Sequence, residues 1–209
     1  IRLSLVGSEM CIRDRVMDTS VNVDTSSRPA HEPATAPGRF VVRDACHEDL
    51  PEAAAVQAVC VREIGQGVIP NDVLTEVTGP GIVHTTIEQW NHFMDDGAIF
   101  KILVDRLDMR TVGVAMARVS TSSDAPTPWE IATLHVLPEA RNCGASDNLL
   151  DACIGNRSAY VWVFADNARA ISFYQRHGFH VDAADGAVDD SLGGVELQRL
   201  IREDIIESQ

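Results

Sequence analysis

The stretch from Leu134 to Leu150 constrains the fold more than any other part of the chain. It reads LHVLPEARNCGASDNLL. An apolar run over 131–137 is typical of a buried strand, a polar turn with Gly144 follows, and apolar residues then recur at helical spacing. A strand that leads through a glycine-containing turn into a helix directs unpaired backbone N–H groups toward an anion. With the guanidinium of Arg141, the stretch predicts a phosphate site, although an ordinary strand-to-helix connection has the same pattern.

The composition of the 209-residue chain favours one globular domain. Hydrophobic residues make up 45% of it, which is enough for a substantial core. No apolar run approaches the ~20 residues that cross a bilayer. The formal net charge of −14 argues against binding to nucleic acid or to an anionic membrane. The five cysteines show no CxxC pair and no zinc-like spacing, so we expect reduced thiols, no metal and a cytoplasmic protein.

The two ends of the chain differ from its middle. Residues 1–15 lack the sustained apolar run of a signal peptide, and SLVGSEMCIRDR resembles a translated sequencing adaptor, so we expect the natural chain to start at Met17. Residues 18–38 are rich in Ser, Thr, Pro, Ala and Asp and have no periodicity, which is typical of disorder. We therefore expect a non-native or disordered leader over 1–38, a domain over 39–203 and a tail over 204–209.

Within that domain, hydrophobic periodicity alternates between strand and helix patterns. The residues between 66 and 81 contain prolines and glycines and predict a loop with a short helical piece. The predicted order is β-α-α-β-β-β-α-β-α-β-β, an α+β domain with a mixed sheet. Strands are expected over 40–45, 98–105, 111–120, 130–138, 159–165, 179–183 and 195–201, and helices over about 47–64, 81–97, 144–155 and 167–177.

Two segments carry a resemblance to a known family. The first is V-x-P-x-x-R-N-x-G-x-S, which runs from Val136 to Ser146, and the second is DNARAISFYQRHGF over 166–179. The first resembles the acetyl-CoA pyrophosphate loop of the GNAT N-acetyltransferase superfamily, V-x-P-x-x-(Q/R)-x-x-G-x-(G/A), and the second resembles the segment after that family's fifth strand. The resemblance covers about residues 39–203 and implies a mostly antiparallel sheet flanked by helices.

The resemblance implies an N-acetyltransferase that moves an acetyl group from acetyl-CoA, a cosubstrate, directly to a primary amine of a small molecule or peptide. It implies no metal, and it leaves the acceptor and a homodimer open. The pantetheine arm would pair with backbone groups of Leu134, His135 and Val136, and Asn167 would contact the coenzyme or cap its helix. The pyrophosphate would take the N–H groups of the loop residues Arg141, Asn142, Cys143, Gly144, Ala145 and Ser146.

Two side chains are the catalytic candidates that the resemblance implies. Tyr174 would be the general acid, since a phenol protonates a thiolate without being ionised itself at neutral pH; the alternative is an aromatic residue on the buried side of an amphipathic helix. Glu130 would be the base, directly or through water, and the alternative is a solvated carboxylate at a strand end. His135 is a rival base, and strand alternation puts it on the face opposite Glu130 unless a bulge intervenes.

Two residues of the loop depart from the family pattern. Ser146 stands where the family has glycine or alanine, and Asp147 adds a carboxylate to the first helical turn, where it stabilises the free helix but repels a pyrophosphate. The alternative function is therefore a GNAT-like acyl-CoA-binding or regulatory domain with weak or no catalysis.

Overall fold

The computed structural model describes residues 38–203, apart from the side chains of 183–186, so the expectations for residues 1–37 and 204–209 lie outside the described part. Seven strands form one sheet in the order β1-β2-β3-β4-β5-β7-β6. The strands are β1 Phe40–Asp44, β2 Ile99–Asp105, β3 Thr111–Val119, β4 Trp129–Val136, β5 Ala159–Phe164, β6 His180–Asp189 and β7 Val195–Arg202. The helices are α1 Leu50–Gly65, α2 Asn71–Val77, α3 Pro80–Asp95, α4 Ala145–Ile154 and α5 Ala168–Arg176.

The predicted α+β class and the mostly antiparallel sheet are confirmed. Neighbouring strands are antiparallel, with β4–β5 as the parallel pair of the described sheet. The short helical piece expected between 66 and 81 is α2. The sequence prediction is wrong for β6, which was expected to end near residue 183 and continues to Asp189. Asp and Gly are poor strand residues, but here they pair with β7 across a register shift between Val181 and Gly186.

Helices cover both faces of the sheet. On one side, called the α4 face, Leu149 of α4 and Phe173 of α5 pack in a shared core cluster. On the other side, called the α1 face, Leu50 of α1 and Trp90 of α3 pack with Phe100 of β2, and the Trp90 and Phe100 rings meet edge to face with centroids 5.6 Å apart. Within the described residues no helix has the length and apolar character needed to span a membrane.

A β-bulge in β4 sets which side chains share a face. Met116 of β3 pairs with Thr133, but the next residue of β3 pairs with Ile131, so Ala132 is an extra residue in β4. Ile131 and Leu134 both face α4, while Ala132 and Thr133 both face α1. Because side chains alternate on either side of the bulge, residues 130, 133 and 135 all lie on the α1 face.

The two central strands part soon after they meet. β4 and β5 pair over three rungs only, from Trp129–Ala159 to Ile131–Val161. Beyond these rungs β4 stays paired with β3 as far as Val136, and β5 stays paired with β7 as far as Phe164. A wedge-shaped gap therefore opens between the C-terminal halves of β4 and β5.

Candidate functional site

Backbone groups of β4 line one wall of this gap. The N–H of Leu137 donates to the carbonyl of Val112 in β3 at 2.8 Å. In an antiparallel pair the residues that bond to the partner strand alternate, so His135 also bonds toward β3. Leu134 and Val136 consequently turn their N–H and C=O groups away from β3, toward the side that β5 has left. An extended ligand with amide groups could pair there with the N–H and C=O of Leu134 and with the N–H of Val136, whose carbonyl accepts from Arg141. This pairing stays a prediction, and the backbone of His135 faces β3.

The guanidinium of Arg141 is paired within the protein. Its Nε donates to the carbonyl of Val136 at 2.8 Å. Its two terminal nitrogens lie 3.0 and 2.7 Å from the carboxylate oxygens of Glu63 in the last turn of α1. The side chain is only 5% exposed, and the backbone N–H donates to the carbonyl of Pro138 at 3.3 Å. Arg141 therefore ties the end of β4 to α1, and its contact with a phosphate stays a prediction.

The turn that follows presents the N-terminus of α4. Asn142 and Gly144 adopt left-handed φ angles of 61° and 78°, and no atom lies within 4 Å of where a Cβ on Gly144 would be, so the backbone angle rather than space favours glycine there. No side chain of the described residues caps α4. Its first helical bond runs from the N–H of Asn148 to the carbonyl of Gly144 at 3.1 Å. The N–H groups of the first helical turn precede this bond, and N–H groups at such a position attract an anion.

Ser146 and Cys143, also predicted in this loop, differ in their surroundings. The Ser146 hydroxyl is buried and has no hydrogen-bond partner among the described residues. Ala145 beside it is likewise buried. The Cys143 thiol is exposed and donates to the carbonyl of Ala140 at 3.3 Å. The side chains of this loop therefore contribute little polarity, and its capacity to bind an anion rests on the backbone.

Asn167 lies at the wide end of the gap. Its side-chain oxygen accepts from the N–H of Ala170 at 3.1 Å, so the capping function predicted from sequence is present. Asn167 also lines a cavity of about 380 Å³ between the end of α1 and the start of α5, together with Glu63 and Phe164. One residue thus caps a helix and borders the cavity.

Glu130 lies on the α1 face at the second of the three rungs between β4 and β5. It is 7% exposed, and Arg118 donates to its carboxylate at 2.8 Å. The alternative of a solvated strand-end carboxylate is therefore wrong. Tyr160 is its neighbour across the rung; burial raises the pKa of this phenol, whose oxygen lies 2.7 Å from the Ser120 hydroxyl. An acceptor amine would have to share this carboxylate with Arg118.

His135 lies on the same face because of the bulge. Its side chain is 1% exposed, and its Nδ1 has no hydrogen-bond partner in the described part of the chain. Burial, with a smaller effect of the positive charge of Arg141, lowers the pKa of His135 to about 3. The imidazole is therefore neutral at pH 7 and only weakly basic, which argues against its use as the base.

Tyr174 belongs to the core on the opposite face. Its side chain is completely buried. Its ring meets Phe173 and Phe179 edge to face, with centroids 5.3 and 5.1 Å away. Tyr174 is therefore an aromatic residue on the buried side of its helix, which is the alternative given for it. Its role as the general acid stays a prediction. The structure does not bring Tyr174 and Glu130 to one face of the sheet.

Asp147 has a partner that the sequence did not reveal. Its Oδ1 lies 2.8 Å from Nε2 of His177, the residue after α5. The hydrogen bond from His177 holds the pKa of the Asp147 carboxyl below its usual range. The two residues are 30 positions apart, and only the packing of α4 beside α5 brings them together. No group of three or more His, Cys, Asp or Glu residues in the described ranges is arranged to hold a metal ion.

Comparisons with known proteins agree with this architecture. The sequence model of the Acetyltransferase (GNAT) family matches residues 75–179, and no curated protein sequence matches the chain. The ribosomal-protein-alanine N-acetyltransferase of Brucella melitensis is similar in structure, with a TM-score of 0.59, 18% identity, and coverage of 78% of this chain and 99% of that one. The putative acetyltransferase yncA of Salmonella typhimurium, solved with acetyl-CoA, has a TM-score of 0.59, 17% identity, and coverage of 82% and 98%.

A third similar structure is the PaiA N-acetyltransferase of Thermoplasma acidophilum, solved with coenzyme A. Its TM-score is 0.56 and its identity 16%, and the alignment covers 77% of this chain and 97% of that one. At these identities the structures establish the fold.

Replacing the buried imidazole should reduce the acid sensitivity of the fold. The folded-state pKa of His135, about 3, lies below the ordinary 6.5, so the unfolded chain binds the extra proton and the free energy of unfolding falls as the pH drops from 6.5 toward 3. We expect the loss between pH 8 and pH 5 to be about 2 kcal/mol smaller in His135→Phe than in the wild type, measured by urea unfolding. Exposed His84 provides the control: His84→Phe should leave the loss unchanged. An equal loss in all three proteins would contradict the assignment.

Proposed function

Because the chain belongs to the GNAT acetyltransferase family, we propose that it transfers the acetyl group of acetyl-CoA directly to a primary amine of a small molecule or peptide. The observation that carries the proposal is the gap between β4 and β5. Along this gap backbone amides turn away from the sheet, and the uncapped N-terminus of α4 follows in sequence. An extended amide-containing arm that ends in a pyrophosphate has the chemistry that these two features fit.

The chain's own groups divide the binding of acetyl-CoA between them. Leu134 provides its backbone N–H and C=O, and Val136 its N–H, for the amides of the pantetheine arm. The N–H groups of residues 142–146 and the dipole of α4 provide the positive potential for the pyrophosphate. The Arg141–Glu63 pair holds the turn in place, and Asn167 borders the cavity at the wide end of the gap.

The coenzyme supplies an activated thioester, and the reaction that follows is a direct displacement. The acceptor nitrogen forms a bond to the acetyl carbon while the carbon–sulfur bond breaks. The amine must lose a proton and the leaving thiolate must gain one. In this proposal Glu130 accepts the proton of the amine, directly or through a water molecule. The phenol of Tyr174 donates a proton to the thiolate. Binding both reactants in the gap also raises the reaction rate, because it holds the amine close to the thioester.

A second candidate function is a GNAT-like domain that binds acyl-CoA, or regulates through it, with weak or no catalysis. Two observations favour it. Arg118 already pairs with the carboxylate of Glu130, and Asp147 places a negative charge in the first turn of α4. The two functions differ in turnover rather than in coenzyme binding.

Two of the structural neighbours support an amino group of a peptide as the acceptor. One is named as a ribosomal-protein-alanine N-acetyltransferase, and another is the NatC complex, solved with a Gag peptide and CoA. The net charge of −14 is compatible with a cationic acceptor and unfavourable for nucleic acid. We place the protein in the cytoplasm, consistent with free thiols at Cys46, Cys60, Cys143 and Cys153.

Coenzyme binding tests the proposal at its first step. Isothermal calorimetry with CoA should show one binding event per chain, because the gap and the α4 N-terminus accommodate one molecule. Affinity should fall as salt is raised, since the contact with the phosphates is electrostatic. No binding at millimolar CoA would contradict both the enzyme and the acyl-CoA-binding alternative.

The chain contains two tyrosines. Replacing each of them by phenylalanine distinguishes the loss of a general acid from the loss of any tyrosine hydroxyl. Tyr174→Phe removes one buried hydroxyl and should lower kcat about a hundredfold or more, while the Kd for CoA is kept, because it removes a proton donor. Tyr160→Phe is the matched control and should retain most of the turnover. Both are measured with an acceptor found by screening amines and peptides. If Tyr160→Phe loses turnover and Tyr174→Phe does not, the acid is Tyr160.

A further inference from the structure

The first turn of α4 contains a carboxylate that is hydrogen-bonded to a histidine at the end of α5. Asp147 is the third residue of this ten-residue helix, and its Oδ1 lies 2.8 Å from Nε2 of His177. The Asp147 side chain is 43% exposed and that of His177 is 16% exposed. The imidazole also packs against the ring of Phe173 of α5, with centroids 4.7 Å apart and an interplanar angle of 48°. The partner of the carboxylate is thus packed on a second side.

A carboxylate at this position competes with a bound phosphate. The N-terminus of a helix attracts anions through its unsatisfied N–H groups and its dipole. Asp147 and the coenzyme pyrophosphate are both anions, so a carboxylate that folds back over the N-terminus of α4 would occupy the same donors and repel the ligand. Its hydrogen bond to His177 directs it toward the end of α5 instead.

We infer that His177 is a positioning residue of the coenzyme site: its hydrogen bond holds the Asp147 carboxylate toward α5. Coenzyme affinity is therefore set by the state of this pair. The inference rests on the proposed function, since it takes the N-terminus of α4 as the pyrophosphate site.

Charged groups on three elements surround the pair. Arg176, on α5, acts electrostatically on the Asp147 carboxylate, and Arg202 of β7 donates to the carbonyl of His177 at 3.4 Å. Asp151 lies one turn further along α4. The hydrogen bond between His177 and the carboxylate is the contact that the variants below remove.

Four proteins measured by calorimetry with CoA test the positioning role at pH 8. Asp147→Asn removes the charge and should tighten binding by roughly two- to fivefold. His177→Phe keeps a ring beside Phe173 but loses the hydrogen bond, and it should weaken binding by a similar factor. In the double variant the histidine change should have no effect, because no carboxylate is left to position. Thermal melts in the absence of CoA verify that each variant is folded.

A matched histidine–carboxylate pair provides the control. His84 and Glu88 lie 3.3 Å apart on the exposed side of α3. His84→Phe removes the histidine of this pair, which lies on the α1 side of the sheet. It should leave the Kd for CoA unchanged in the wild-type and in the Asp147→Asn background.

Rescue by a conservative variant gives a second, independent measurement. His177→Gln keeps a side-chain donor for the Asp147 carboxylate and should bind CoA with nearly the wild-type Kd. A merely structural role for the imidazole would make His177→Gln as weak as His177→Phe.

Two results would overturn the inference while the proposed function stands. In the first, CoA binds but Asp147→Asn leaves its Kd unchanged. In the second, His177→Phe weakens binding by the same factor in the wild-type background and in the Asp147→Asn background. If the wild type binds no CoA at millimolar concentration, the proposed function fails first and the inference fails with it. This failure of the proposed function differs from the first two results, because in both of those the wild type binds CoA.

Discussion

The unequal hydrogen bonding of β4 is the constraint on which the rest of the site depends. The strand is bonded to β3 along its length but to β5 over three rungs only. Backbone N–H and C=O groups are costly to leave unpaired away from water. Arg141 satisfies the carbonyl of Val136, and the groups of Leu134 and the N–H of Val136 favour a partner that the sheet does not supply. The bulge at Ala132 lies next to the last of these rungs and turns the side chains of Thr133 and His135 toward α1. The extra residue Ala132 thus determines how β4 is oriented where it lines the gap. It also determines the surroundings of His135, the rival base.

A second constraint holds the far end of that wall. The Arg141 fork on Glu63 joins α1, the end of β4 and the turn before α4. A buried ion pair of this kind contributes less to stability than its short distances suggest, because both charges lose water. The Arg141–Glu63 pair acts on geometry, because it fixes the turn before α4, whose backbone N–H groups point out from the helix end. The charges that bear directly on a phosphate there belong to the backbone, to Asp147 and to its partner.

The sequence was sufficient for the order of the elements and for the location of the loop. Periodicity and turn residues encode local structure, so α1, α3, α5 and the three consecutive strands were predicted with small errors at their ends. What could not be read from it depends on contacts between distant residues. Glu63 and Arg141 are 78 positions apart, and Asp147 and His177 are 30 apart. Neither pair has a spacing rule, so the sequence alone does not reveal that Arg141 pairs with Glu63 or that His177 pairs with Asp147.

The most direct measurement is a crystal structure of the protein with coenzyme A bound. The account predicts that the pantetheine arm lies between β4 and β5 against the backbone of Leu134 and Val136. It also predicts pyrophosphate oxygens within about 2.7–3.2 Å of backbone nitrogens of residues 142–146, with Asp147 still on His177. Coenzyme bound elsewhere, or a pyrophosphate held by side chains while the N-terminus of α4 stays uncontacted, would contradict it.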